Sequence, residues 1–254
     1  LAIQALFFAD GGLLALGCNI FNLGFFTCLI AYPFIYKWMM GQGYSAKRIF
    51  GASMLSAIIG LQLGAFGVVL ETLFSGKTEL PFNTFVLLMQ PIHLGIGIVE
   101  GLVTAAVVTF IWQARPEILE KAALGQSLGR ISIKKVLAGL TVVAVITGGM
   151  FSWFASANPD GLEWSMFKTA GVEELEAPMG IHQTLAEIQN KTAFLPDYSF
   201  KEPENNPELE PSVGAEEAAW PAVSSGTSVS GVIGGTMTLA LAAFTGLGIS
   251  MFKR

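Results

Sequence analysis

Five long apolar stretches separated by short polar gaps organise this chain of 254 residues. They run Gly11–Tyr36, Ile49–Leu70, Leu80–Val99 continuing past Glu100 to Ala114, Val136–Pro159 and Ala218–Met251. A helix needs about 20 apolar residues to cross the hydrocarbon of a bilayer, and core helices of soluble domains rarely reach that length. The pattern predicts an all-α fold, a polytopic transmembrane helix bundle with about five full spans. Trp38, Trp112 and Trp153 stand at the ends of three stretches, where an amphipathic ring settles at headgroup level. Leu1–Phe8 is apolar but too short to span. It follows no initiator Met, basic n-region or small-residue cleavage site, so it reads as the end of a helix begun before Leu1.

Composition agrees with that class. The hydrophobic share is 52%, with 19 Phe and 29 Gly, and Gly is commoner in membrane helices than in soluble ones. Charge then adds orientation. Ten of the 14 Lys and Arg fall in Lys37–Arg48, Arg115–Lys135 and Lys253-Arg254, whereas 13 of the 19 acids fall between Ala155 and Thr227. Lys and Arg are retained on the cytoplasmic side, so the first two basic gaps and the chain end are expected inside. The loop around Lys77 and Glu79 and the acidic segment 155–227 are expected outside. Cys18 and Cys28 lie in one span, ten positions or about 15 Å apart along the axis, and are expected as buried structural thiols rather than a disulfide. The acidic segment has no Cys, so it is no disulfide scaffold.

Several motifs carry candidate chemistry. Gly76-Lys77-Thr78 resembles the end of a phosphate-binding loop, but Glu71 occupies the position of the required first Gly, and a solvated turn is expected. Gly60–Gly64, Gly97–Gly101 and Gly231–Gly235 have the spacing that lets helix backbones approach closely in lipid. They are read first as internal packing. His93 and Glu100 share one span at i and i+7, hence one helical face. Ionisable groups at membrane depth face a cavity or the protein interior. Two readings stand for this pair: a polar contact that fixes helix packing, and part of a metal site, since neutral imidazole suits Ni, Co and Zn. His182 is expected at the surface. In Pro159-Asp160-Gly161, Pro fixes φ and Asp-Gly tolerates turn geometry, so a tight turn is expected there. Gly161–Ala170 then reads as a short amphipathic helix turning Leu162, Trp164 and Phe167 towards lipid or protein. Glu202–Glu217, acidic with three Pro, reads as a mobile loop.

The residues from Gln4 through Asp10-Gly11-Gly12 to Asn19-Ile20-Phe21-Asn22-Leu23-Gly24 resemble the central signature of the CbiM/NikM family, as does His93-Leu94-Gly95-Ile96-Gly97-Ile98-Val99-Glu100-Gly101. These are metal-specific subunits of energy-coupling-factor transporters for cobalt or nickel. Pro159-Asp160-Gly161-Leu162-Glu163 is similar to the PDGLE motif of the companion CbiN/NikN module, which has a span, an extracytoplasmic stretch and a second span. The resemblance therefore implies three parts: residues 1–115 as the C-terminal part of a metal-transport domain, 116–135 as a cytoplasmic basic linker, and 136–254 as the second module.

The resemblance also implies a function. The chain would be the substrate-specific membrane component of an importer of Co2+ or Ni2+ in the cell membrane of a bacterium or archaeon. It would hold no permanent cofactor and carry no ATPase of its own. Its partners would be membrane lipid, a transmembrane coupling subunit and cytoplasmic ATPase subunits, with no nucleic acid. Metal in the family is held by the N-terminal amine and histidines that would precede Leu1, so Asp10, Asn19, His93 and Glu100 remain as candidates for shaping or supporting the pocket. Two alternatives stay open: a non-transporting membrane scaffold, and an intramembrane enzyme. The latter lacks a His-Glu-x-x-His motif or a Ser with a base beside it.

Overall fold

The computed structural model describes residues 1–76, 80–129, 131–155, 159–172, 180–201 and 220–252. The expectations placed on Lys77-Thr78-Glu79, on Arg130, on Glu202–Glu217 and on Lys253-Arg254 lie outside the described residues. Among the described residues all regular structure is helical.

Among the described residues four helices are long and apolar enough to cross a membrane: α1 (Leu16–Met40), α2 (Ala46–Ser75), α3 (Phe82–Ala114) and, near the chain's end, a helix over Ser225–Phe252. Between α3 and that last helix come α4 (Pro116–Ala123), α5 (Lys134–Gly149), α6 (Gly161–Ala170) and α7 (Ile181–Thr192); Ser225–Phe252 is α8. The protein is a multi-pass membrane protein. α5 falls within the fourth expected span, but its 16 residues extend only about 24 Å, less than the about 30 Å of a hydrocarbon core. A tighter turn over Phe151–Phe154 continues it.

Helix ends follow local chemistry. Ser45 caps α2 by accepting from the Arg48 backbone N–H at 3.3 Å, which satisfies one of the orphan donors of a first turn. α2 ends at Gly76, whose φ of 63° is the left-handed conformation that Gly adopts without steric cost. Pro116 opens α4 at its first position, where a missing N–H costs nothing. Most of α1, Ile20–Tyr36, is wound with i→i+5 hydrogen bonds.

The chain divides into two compact units. The first comprises Gly17–Leu137 and Pro159–Glu176, so it holds α1 to α4 and α6. Its packing runs through glycines. A Cβ on Gly60 would stand 3.0 Å from Thr27 Cγ2, and one on Gly64 would collide with the Asn22 carbonyl. Across the other face, a Cβ on Gly97 would stand 3.1 Å from Ile58 Cα and one on Gly101 2.9 Å from Met54 Cα. Two of the three glycine pairs are thus internal packing. Gln62 Nε2 donates to the Gln90 carbonyl at 2.8 Å, and Gln90 Nε2 returns the contact to the Gln62 carbonyl at 3.4 Å. Met40, Ile49 and Ala52 form a buried cluster with Tyr44, Val108 and Trp112 packed against it.

The other unit comprises Leu1–Leu16, Ala138–Asn158 and Ala177–Arg254. There Gly231 of α8 meets Gly148 of α5 backbone to backbone. Gly234 faces the ring of Phe8, whereas Gly235 faces open space, so the close spacing is used at one end only. Trp153 Nε1 donates to Ser228 Oγ at 2.7 Å, and Ser228 Oγ donates to the Gly149 carbonyl at 2.7 Å. Cys18 and Cys28 are free, as expected, but exposed rather than buried.

The glycine contacts predict a graded mutational response. Gly64→Val is expected to cost about 1–3 kcal/mol through overpacking and to lower the unfolding midpoint in detergent. Gly95→Ala, where nothing lies within 4 Å, is expected to leave that midpoint unchanged.

Candidate functional site

The chemistry-bearing residues fall into four groups. The first surrounds Asp160. Its carboxylate accepts from the backbone N–H groups of Leu162 at 2.7 Å and Glu163 at 2.9 Å, while Glu163 Oε2 accepts from the Asp160 N–H at 3.0 Å. This is a capping box, so Pro159–Glu163 forms the start of helix α6 rather than the expected tight turn. The Asp-x-x-Glu spacing was the signal for it. Gly161 serves close approach: a Cβ there would lie 3.2 Å from His93 Cε1 and 3.4 Å from Ile92 Cγ2. The buried Ser165 hydroxyl donates to the Gly161 carbonyl at 2.7 Å.

Helix α6 packs on α3 through Leu162, Met166 and Ala170, which cover a core of Ala65, Val69, Leu80, Phe85 and Met89. The packed face is therefore i, i+4, i+8 along the helix; it holds the expected Leu162, while Trp164 and Phe167 lie off it. Phe167 is exposed. Lys168 accounts for those two aromatics, since its ammonium lies 5.9 Å from each ring centroid. His93 is partly buried under this helix start, with Nδ1 2.8 Å from the Met89 carbonyl. The proton on Nδ1 that this contact implies leaves Nε2 as the ring's acceptor.

The second group couples α1 to α2. Asn22 is 2% exposed, and its Nδ2 donates to Glu71 Oε2 at 2.9 Å. Its Oδ1 has no partner and is pressed against Gly67. The Cys18 thiol lies near the same carboxylate. Asn19 lies one turn before Asn22 and is half-buried. Sequence reading passed over the Asn22–Glu71 pair because the partners are 49 positions apart. The available signal was an acid inside the C-terminal end of a membrane helix.

The third group is Glu100, which lines a cavity of about 830 Å³ among α1, α2, α3 and α4. His93 and Glu100 share a face, but two turns or about 10 Å of axis separate them, and they act in different surroundings. The fourth group, around Asp10, belongs to the other unit. Tyr198 Oη donates to Asp10 Oδ2, and Gln4 Nε2 donates to the same oxygen at 3.2 Å. Gln189 Nε2 donates to the Gly11 carbonyl at 2.8 Å. The Tyr198 ring stacks on Phe8 at 5.2 Å, and Phe194 packs against Phe7 at 5.7 Å. Burial, then the Asp10 hydrogen bond, pushes the Tyr198 phenol up to about 12. Among the described residues no three His, Cys, Asp or Glu side chains converge as a metal-ligand cluster.

Residues 1–118 match the family model described as the cobalt uptake substrate-specific transmembrane region, CbiM, and residues 134–251 match that of the PDGLE domain. The first region is thus CbiM-like, and a PDGLE domain follows it. A protein of Archaeoglobus fulgidus named for fused nickel transport, NikMN, is 27% identical over 95% of this chain and 67% of its own length. A metal transport protein of Haloquadratum walsbyi is 35% identical over 46% of this chain and 51% of its own. The cobalt transport protein CbiM of Sorangium cellulosum is 30% identical over 48% of this chain and 54% of its own. The chain thus spans about half to two thirds of the length of these relatives. No solved structure matches it.

Placed on these matches, the contacts join the two regions. Helix α6 of the PDGLE domain seats on α3 of the CbiM region, and Tyr198 and Gln189 of the PDGLE domain hold Asp10 and Gly11 of the CbiM region. The raised Tyr198 phenol has a definite sign. An ordinary Tyr titrates near 10, so the native phenol binds its proton more tightly than the unfolded one. Its stabilisation is complete below about pH 10 and is lost as pH rises towards about 12. Ultraviolet titration against Tyr198→Phe is expected to find one phenolate appearing later than an ordinary tyrosine. The substitution is expected to cost about 1 kcal/mol at neutral pH, with no loss from substituting the exposed Tyr32.

Proposed function

We propose that the chain is the substrate-specific membrane component of an energy-coupling-factor importer of cobalt or nickel ions, energised by separate ATPase subunits. The observation that carries this reading is the order of its two regions, a CbiM match followed by a PDGLE match, and the similarity over 95% of the chain to a relative named for fused nickel transport supports it. Transport rather than catalysis is the conclusion, because the relatives are named for transport.

The orientation follows from charge. Lys37, Lys47 and Arg48, and then Arg115, Lys121, Arg130, Lys134 and Lys135, keep their loops at the cytoplasmic face. The acidic segment 155–227 faces outward, where cations enter. Partner subunits with ATPase activity would dock at the basic face, together with a transmembrane coupling subunit. The domain division is 1–115 for the metal-transport part, 116–135 for a cytoplasmic linker and 136–254 for the PDGLE module, with a span, the outward segment 155–227 and a second span.

Within this reading the candidate residues act by shaping and support. Asp160 and Glu163 cap α6, α6 seats on His93, and Tyr198 holds Asp10. His93 would offer Nε2, and Asn19 would sit beside the Asn22–Glu71 contact. Cobalt and nickel both accept imidazole and oxygen donors, so both are assigned as cargo.

Uptake tests the proposal. The full-length protein, expressed with its coupling and ATPase subunits, is expected to accumulate labelled cobalt or nickel in cells. A strain with an inactive ATPase supplies the background. Accumulation of neither ion above that background would leave the scaffold reading in its place.

A further inference from the structure

Glu100 stands near the middle of α3 and is exposed. Among the described residues no hydrogen bond or ion pair reaches its carboxylate. A carboxylate at membrane depth is costly and is normally paired, or faces protein or water. Thr104 follows one turn later on the same face of α3 and is exposed as well.

Both residues lie on a cavity of about 830 Å³ whose lining is mostly apolar. Ala31 and Tyr32 of α1 stand on one side, and Glu100, Thr104 and Val108 of α3 stand on the other. α1 and α3 each pack on α2 through the glycine contacts, so the cavity is a furrow between two helices that flank a third. Tyr32, 50% exposed, leaves it open to the surroundings.

Charge selects what fills the furrow. Lipid tails would leave the carboxylate unpaired. The five apolar stretches of this chain hold no Lys or Arg, so neither the spans of the PDGLE domain nor those of a second copy bring a cation to the level of Glu100. The one histidine in those stretches, His93, is partly buried beneath α6. Lys37 lines the same cavity, but it follows the first stretch and makes no ion pair with Glu100. The counter-charge must come from another polypeptide.

We propose that this furrow is the docking site for a transmembrane helix of the coupling subunit, one that carries a Lys or Arg level with Glu100. The assignment rests on the partner given under Proposed function. Apolar packing alone gives a helix no preference for protein over lipid, so association in a membrane needs close packing and polar contacts. Ala31 supplies a small side chain for close approach, and Glu100 and Thr104 supply the polar contacts. The furrow is closed at one end by α4, so the docked helix runs to the face at which the ATPase subunits would sit.

The test uses the full-length protein co-expressed with its coupling and ATPase subunits. Photoreactive benzoylphenylalanine replaces Tyr32 in the furrow or, separately, Leu87, which is 70% exposed on α3 and lies off the cavity. After irradiation the adducts are identified by peptide mass spectrometry. Position 32 is expected to mark a membrane helix of the coupling subunit, and position 87 is not. Glu100→Gln is expected to weaken retention of the coupling subunit about tenfold, the weight of one charged contact, and Glu100→Asp to restore most of it. Adducts from position 32 only to the same polypeptide, to a second copy or to lipid overturn the docking, and so does unchanged retention in Glu100→Gln. An unsubstituted protein that purifies without any coupling subunit overturns the reading under Proposed function, and the docking with it.

Discussion

Lipid gives helices no hydrophobic reason to associate, so helices in a membrane must gain from close packing and from polar contacts. In this chain that requirement falls on a few glycines. Gly60, Gly64 and Gly67 bring α2 against α1, and Gly97 and Gly101 bring α3 against α2. Several polar contacts of that unit are spaced by these crossings. Asn22 reaches Glu71 because Gly64 and Gly67 clear its path. Gln62 and Gln90 exchange hydrogen bonds because the helices are near enough for side chain to meet backbone. Glu100 is set level with Ser53 and Ser56 by the same contact that joins Gly101 to Met54.

A second close approach extends the principle from helix packing to the joining of two sequence regions. Gly161 opens α6 within 3.2–3.4 Å, at its Cβ position, of His93, Ile96 and Ile92, so the capped start of the PDGLE helix settles closely on α3. The capping box supplies the stiffness, and Leu162, Met166 and Ala170 supply the apolar face. His93 then has a structural duty, and its remaining ring nitrogen keeps it available for a supporting role beside metal. In the other unit, the aromatic stack of Phe8 on Tyr198 and the Tyr198–Asp10 contact do the equivalent work for the Asp10-Gly11-Gly12 signature.

Much of the fold was legible because apolar run length and helix length report the same constraint. The run Ile49–Leu70 lies inside α2, and the runs ending at Tyr36 and Ala114 are helical from Leu16 and Phe82 onward. The end of the second run was misleading: Glu71 closes the uncharged stretch, yet α2 continues to Ser75 because Asn22 and Cys18 accompany that carboxylate. Of the three side chains expected to turn towards lipid or protein on α6, Leu162 packs inward with Met166 and Ala170 at the helical period, and Trp164 and Phe167 have Lys168 beside them. Long-range pairs such as Tyr198 with Asp10, 188 positions apart, leave no local periodicity to read. Shared face was legible for His93 and Glu100, but shared surroundings were not, because two turns of helix put different neighbours around each.

Docking of the PDGLE helix on His93's face of α3 is tested most directly by a covalent link. Ile92 Cγ2 stands 3.4 Å from where a Cβ on Gly161 would lie, so cysteines at these positions fall within reach of a disulfide. Gly161→Cys and Ile92→Cys are combined with a protease site in the exposed loop at Gln126-Ser127, and the cut protein is run without reductant after mild oxidation. Fragments that stay joined in the double variant and separate in each single variant are the expected result. Complete separation of the double variant's fragments would contradict the docking.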